Sequence, residues 1–305
     1  MVYPEDIRKA AEILRAGGLV VFPTETVYGL GANALDASAV KKIYALKGRP
    51  ATSPLIVHVA SVERARELAT DWPEEAEQLA RDYWPGPLTL VLPKRPMIPG
   101  EVTAGLSTVG LRMPRHPVAL ELLRAAEVPI AAPSANRFTQ LSPTTAQHVR
   151  DAFGAETPFL LDGGPCEVGL ESTVVAVTKD GLEVLRPGMA FVEDAIAANE
   201  HSSGDDEAQR SPGQHKKHYS PRTRVLLVKQ GRLPAEGRGA YLWLQQKADA
   251  PFAIRMPAEP EVYAAQLYSQ LHELDRKDLD WIAVELPPES AKWAAIRDRL
   301  TRAAY

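Results

Sequence analysis

Residues 197–210 read AANEHSSGDDEAQR, a stretch without a single large apolar side chain. Such a segment has nothing to bury and cannot run through a core, so it divides the chain into two units of unequal size. On this reading residues 1–196 form the larger unit, 197–221 a linker and 222–305 a smaller unit. The linker has two parts. The first is polar and reads as mobile. The second, from Ser211 to Pro221, sets His215, Lys216, Lys217, His218 and Tyr219 between prolines that stiffen it. That is more chemistry than a spacer needs, and the segment is expected to cover a site.

Both units alternate short apolar runs with helical periodicity. In the larger one Ile7, Ala10, Ala11 and Leu14 share a helix face that stops at Gly17-Gly18, and residues 19–22 form a strand ended by Pro23. Further strands are read at 54–59, 88–92, 128–131, 159–161 and 173–177, with helices near 40–47, 61–68, 74–83, 118–126 and 144–153. The smaller unit reads as strands at 225–228, 240–244 and 281–286 with helices near 261–276 and 290–303. Mixed helices and short strands make a layered α/β protein, and the larger unit reads as complete enough to fold without the rest.

Charge and composition narrow the classes. Lys and Arg number 35 against 39 Asp and Glu, a net charge of −4, which argues against a chain that coats nucleic acid non-specifically. One cysteine, Cys166, excludes a disulfide framework or a Cys-rich zinc site and suits a reducing compartment. The N-terminus lacks the basic and apolar regions of a secretory signal, and no apolar run reaches the ~18 residues of a membrane span, so a cytoplasmic protein is expected. Gly29-Leu-Gly31 suggests a dinucleotide fingerprint, but five residues separate it from Pro23 and no acid follows the next strand. The Gly100/Gly105 spacing lacks the lysine of a phosphate-binding loop, and His215/His218 lack further metal ligands.

Polar residues instead gather where apolar strands end. Thr24-Glu-Thr26 follows the first strand, Lys47-Gly-Arg49 closes a helix, and Arg112 leaves an apolar strand at 108–112. Pro133-Ser-Ala-Asn136 ends another strand, Glu171-Ser-Thr173 precedes one, and Arg186 follows one. Each alone suits a turn or a helix dipole. Together, fixed cations with hydroxyl and amide groups at strand ends suit a polyphosphate, whose chemistry needs charge and positioning more than a nucleophile.

These residues, in order, closely resemble the L-threonylcarbamoyladenylate synthases. The resemblance rests on Phe22-Pro-Thr-Glu-Thr-Val-Tyr-Gly-Leu-Gly31, Lys47-x-Arg49, Pro54-Leu-Ile-Val-His58, Leu111-Arg112-Met-Pro, Pro133-Ser-Ala-Asn136, Glu171-Ser-Thr173 and Leu185-Arg-Pro-Gly188. It runs from Ala11 to about Ile196 as a YrdC-like catalytic domain, then through His218-Tyr-Ser-Pro221 into the C-terminal domain of the two-domain form. The resemblance implies a twisted sheet around a large basic cavity and a nucleotidyltransferase reaction. L-threonine, bicarbonate and ATP would give threonylcarbamoyl-AMP and pyrophosphate, for N6-threonylcarbamoyladenosine in tRNA.

The same resemblance assigns Thr26, His58, Arg112, Ala132 and Ser172 to threonine. It assigns Lys47, Arg49, Ser53, Thr108, Ser134, Asn136, Ser142 and Arg186 to ATP, with His218 and Tyr219 reaching the nucleotide from the linker. Lys47, Arg49, Ser134 and Asn136 are the catalytic candidates, assisted by Mg2+ held by phosphates. The product would pass to tRNA-modifying transferase proteins, and no motif marks a stable tRNA-binding surface. The competing readings are a phosphate-recognising RNA-binding or scaffold protein and a hydrogenase-maturation-type carbamoyltransferase. The second of these carries zinc-finger regions for which this chain lacks the cysteines.

Overall fold

The structure, a computed structural model, describes residues 2–193, 195–197, 210–213, 218–229 and 231–305. Residues 198–209 and 214–217 of the expected linker, with His215, Lys216 and Lys217, lie outside the described residues.

Ten strands build the large sheet. They are β1 (Val20–Phe22), β2 (Gly29–Asn33), β3 (Ile56–His58), β4 (Leu88–Pro93), β5 (Thr108–Arg112), β6 (Ile130–Ala131), β7 (Phe159–Leu160), β8 (Thr173–Thr178), β9 (Gly181–Arg186) and β10 (Ile196–Ala197). Their order is β10-β9-β8-β4-β5-β3-β6-β2-β1-β7, with parallel and antiparallel pairs mixed. Around it lie α1 (Pro4–Arg15), α2 (Ala37–Lys47), α3 (Val62–Arg66), α4 (Glu74–Tyr83), α5 (Gly100–Thr103), α6 (Pro117–Ala126) and α7 (Ala146–Phe153). Asp36 caps α2 by accepting from the Ser38 and Ala39 amides, and Gly48 ends it in the left-handed region, where a side chain would be strained. Helix α1 buries Ile7, Ala10, Ala11 and Leu14 against α6, the face that the periodicity predicts.

Strand β2 is the main departure from the sequence reading. No strand is read there, whereas Gly29 and Gly31, whose dinucleotide fingerprint the sequence already argues against, are sheet residues paired with β1. A Cβ on Gly31 would stand 2.8 Å from the Phe22 ring and 2.8 Å from Ile130, so the glycine makes room for close packing. Another departure is β10, where Ala197 pairs with Val184 and carries the sheet one residue into the stretch read as linker.

The smaller unit is a four-stranded, all-parallel sheet in the order β11-β14-β12-β13, formed by β11 (Arg224–Val228), β12 (Gly239–Trp243), β13 (Phe252–Arg255) and β14 (Trp281–Glu285). It is packed by α8 (Pro260–Asp275) and α9 (Ala294–Ala303). Glu285, buried at the end of β14, accepts three backbone hydrogen bonds from the amides of Leu244, Gln245 and Gln246 at 2.6, 2.9 and 3.2 Å. The core of this unit is shared with the larger one. Val27, Leu141 and Leu170 belong to the same buried cluster as Tyr263, Leu267, Ile296 and Leu300. Among the described residues no helix is long and apolar enough to cross a membrane.

Candidate active site

The strand ends near the middle of the large sheet surround a cavity whose atom-free space, counting the solvent at its mouth, is about 530 Å³. Sheet register accounts for its first wall. β3 and β5 are parallel neighbours with His58 opposite Arg112, so both side chains leave the sheet on one side. The Thr24-Glu-Thr-Val27 turn comes up beside them. Thr24 Oγ donates to the Val27 carbonyl at 2.6 Å and accepts from the Thr26 and Val27 amides, a local hydroxyl turn that presents Thr26. Arg112 then donates to Thr26 Oγ1 at 3.0 Å, to the Gly86 carbonyl at 3.2 Å and to Glu25 at 2.7 Å. Three of its five N–H groups are engaged, leaving one on each terminal nitrogen to grip a carboxylate.

The electrostatics of this wall follow from burial. Burial alone would raise the Glu25 carboxyl, but the Arg112 charge and its hydrogen bond outweigh that and hold it below the usual range. His58 is pushed down to about 3 by burial and then by Arg112, so it stands neutral in the cavity wall. Its Nδ1 is buried without a hydrogen-bond partner, as is Nε of Arg49, another residue lining the same cavity.

The opposite wall is cationic. Arg186 donates to the Ser172 carbonyl and hydroxyl and to the Pro212 carbonyl, which ties the linker over the opening. Arg49 donates to Ser53 Oγ at 2.5 Å and to the Pro54 carbonyl, and burial lowers it to about 10, still charged at neutral pH. Ala132, Ser134, Glu171, Gly213, His218 and Tyr219 complete the lining. Arg49, Arg112 and Arg186 line the cavity with Glu171; Glu25 offsets Arg112 and Arg299 offsets Glu171, so the surplus positive charge rests on Arg49 and Arg186.

Of the residues singled out in the sequence, Thr26, Arg49, His58, Arg112, Ala132, Ser134, Ser172, Arg186, His218 and Tyr219 line this cavity. Five do not. Lys47 is buried behind the wall. Its ammonium donates to the carbonyls of Ser134 and Asn136 at 2.6 and 2.5 Å and reaches Asn136 Oδ1 at 3.5 Å, which occupies all three of its donors. It shapes the Ser134–Asn136 loop rather than facing a phosphate, and burial drives its pKa well down. Asn136 in turn spends its amide on the Arg137 and Gln140 carbonyls. Ser53 is the acceptor that orients Arg49, and Ser142 donates to Glu171 at 2.5 Å. Thr108 lines an adjoining, more apolar cavity that shares Ile56 and Pro212 with the first.

Glu25, Glu171, Pro212 and Gly213 were not assigned roles from the sequence, although the two acids stand inside the motifs quoted for it. Tyr219 also differs from expectation. It is fully buried with φ +59, its ring near those of Tyr268 and His218 and under the guanidinium of Arg299. Replacing it would disturb the smaller unit as well as the cavity.

Comparison with known proteins agrees with this architecture. A family profile described as "Telomere recombination" matches residues 12–188, and one described as "Threonylcarbamoyl-AMP synthase, C-terminal domain" matches residues 177–305. The threonylcarbamoyl-AMP synthase of Pyrococcus abyssi is 41% identical over 98% of this chain and 94% of its own length. That of Bacillus subtilis is 40% identical over 98% of this chain and 92% of its own. The crystal structure of P. abyssi Sua5 complexed with L-threonine superposes with a TM-score of 0.89 at 40% identity, covering 98% of this chain and 94% of that one. With both of its units matched in order and nearly its whole length aligned, the chain belongs to the threonylcarbamoyl-AMP synthase family.

Proposed function

We propose that this chain joins L-threonine, bicarbonate and ATP into threonylcarbamoyl-AMP and pyrophosphate, and that it does so in the cytoplasm, for N6-threonylcarbamoyladenosine formation in tRNA by downstream transferases. The observation that carries this reading is the single cavity with two chemically different ends, in a chain that aligns end to end with synthases of that name. One end offers Arg112, Thr26 and neutral His58, a set matched to a small amino acid with a carboxylate and a hydroxyl. The other offers Arg49 and Arg186 with Ser134, a set matched to phosphates.

In this reading bicarbonate gives up hydroxide to yield CO2, the deprotonated threonine amine forms an N–C bond to that carbon, and the proton the nitrogen sheds neutralises the hydroxide, so a carbamate and one water result. A carbamate oxygen attacks the α-phosphorus, its P–O bond forms as the bond to pyrophosphate breaks, and the electron pair leaves with pyrophosphate. Arg49 and Arg186 offset the charge on the phosphates, and the Ser134 loop, pinned by Lys47, positions the acceptor. Neutral His58 accepts a hydrogen bond from the amino group without competing with it for charge. Pro212, Gly213 and Tyr219 keep bulk water from the mixed anhydride. A Mg2+ ion arriving with ATP would be carried by phosphate oxygens. Among the described residues no three His, Cys, Asp or Glu side chains cluster, and Glu171 is spent on Arg299.

The test is a pyrophosphate-release assay with ATP, labelled bicarbonate and each amino acid in turn. Threonine-dependent release together with label in an adenylate is the expected result, and release that ignores threonine would sink the assignment.

A further inference from the structure

Arg299 is a residue of the smaller unit, yet its contacts lie on the wall of the cavity in the larger one. It sits on α9, fully buried, and donates from Nε to Glu171 at 2.7 Å, from one terminal nitrogen to the Pro187 carbonyl at 3.1 Å, and from the other to Asp298. Glu171 lines the cavity and also accepts from Ser142 Oγ and from the hydroxyl of Tyr268 on α8. Burial would raise the Glu171 carboxyl, but the charge of Arg299, then that of Arg186, holds it down as a carboxylate. A negative charge in the wall of a phosphate cavity is a liability, because the nearest free cation will pair with it. Arg186 is near enough to contribute to that charge balance, yet its own bonds go to Ser172 and to the Pro212 carbonyl of the linker.

We propose that Arg299 is a positioning residue: by taking Glu171 as its own partner it keeps Arg186 out of a salt bridge and available to the nucleotide, so the smaller unit completes the phosphate side of the active site. The proposal rests on the synthase reading above. It follows from the geometry that the charge of Arg299 never needs to reach the ligand. Its guanidinium lies over the Tyr219 ring, 5.0 Å from the centroid, and of the Arg299–Glu171 pair it is Glu171, already neutralised, that lines the cavity.

Two variants of the full chain test this. Arg299→Met keeps much of the buried bulk and removes the charge. Arg186 then turns to Glu171, and affinity for a non-hydrolysable ATP analogue, measured by calorimetry, falls tenfold or more, while L-threonine affinity stays within twofold. Adding Glu171→Gln in the same chain removes the competing carboxylate and returns most of the nucleotide affinity. A purely structural role predicts no such rescue, and both ligands would weaken together with the melting temperature.

Unchanged nucleotide affinity in Arg299→Met overturns the proposal, as does a double variant no better than the single one. If the unaltered chain binds nucleotide and threonine but releases no pyrophosphate, the reading of the reaction fails and the proposal is still decided by affinity. If it binds no nucleotide, both fall.

Discussion

At the scale of single residues, the structure separates side chains that line the cavity from those that lie behind its wall. Arg112 belongs to the first group but is paired with buried Glu25, so Arg112→Ala acts twice. It should weaken threonine binding by about two to three decades, from a lost charge-assisted contact of ~2–4 kcal/mol. It should also destabilise the fold by ~3 kcal/mol or more, because Glu25 is left buried without its cation, with the Arg115 amide still bonded to it. Adding Glu25→Gln is expected to restore the melting temperature but not the threonine KM, and recovery of both would remove Arg112 from the binding site. His58 sets a pH dependence. The folded chain keeps this ring neutral down to about 3, whereas the unfolded chain binds a proton below 6.5. Its contribution is therefore complete above 6.5 and is lost as the pH falls, by about 2 kcal/mol at pH 5. Denaturant titrations at pH 8 and pH 5 should show His58→Gln losing about that much less than the unaltered chain. The sequence made Arg112 and His58 legible because both end apolar strands. For Lys47 the sequence shows a helix end, which does not reveal that a loop 87 residues away will take up its ammonium.

At the scale of elements, the strands that the sequence made plain are those rich in Val, Ile and Leu, such as β4 and β8. The least legible was β2, whose Gly-Leu-Gly-Ala-Asn composition is that of a turn. Tertiary packing overrides propensity there: Phe22 on one side and Ile130 on the other leave room for no Cβ at Gly31. Gly31→Ala should consequently cost ~1–3 kcal/mol through overpacking, read as a lower melting temperature. A melting temperature equal to that of the unaltered chain would mean that Gly31 is not spared for packing. The mixed strand order was beyond the sequence for a different reason, since hydrophobic pattern fixes which face of a strand is buried but not which strand lies beside it.

At the scale of the whole molecule, the expectation that the larger unit stands alone meets a shared core. Cutting the chain after Arg210 uncovers Val27, Leu141 and Leu170 and strips Glu171 of Arg299 and Tyr268. The truncated protein is predicted to melt well below the full chain and to bind a hydrophobic dye, and an equal melting temperature without dye binding would show the larger unit to be self-sufficient. Nothing in the sequence announced this dependence. Arg299 shares the buried face of α9 with Ile296, Leu300 and Ala303, but the helix pattern does not say which acid of the larger unit that face will meet. In the smaller unit the turn after β12 aims three backbone amides at the end of β14. There the backbone amides of Leu244, Gln245 and Gln246 already embrace Glu285. A single buried carboxylate thus staples the exit of one strand to that of its neighbour, so Glu285 acts as a lock on the rim of this sheet.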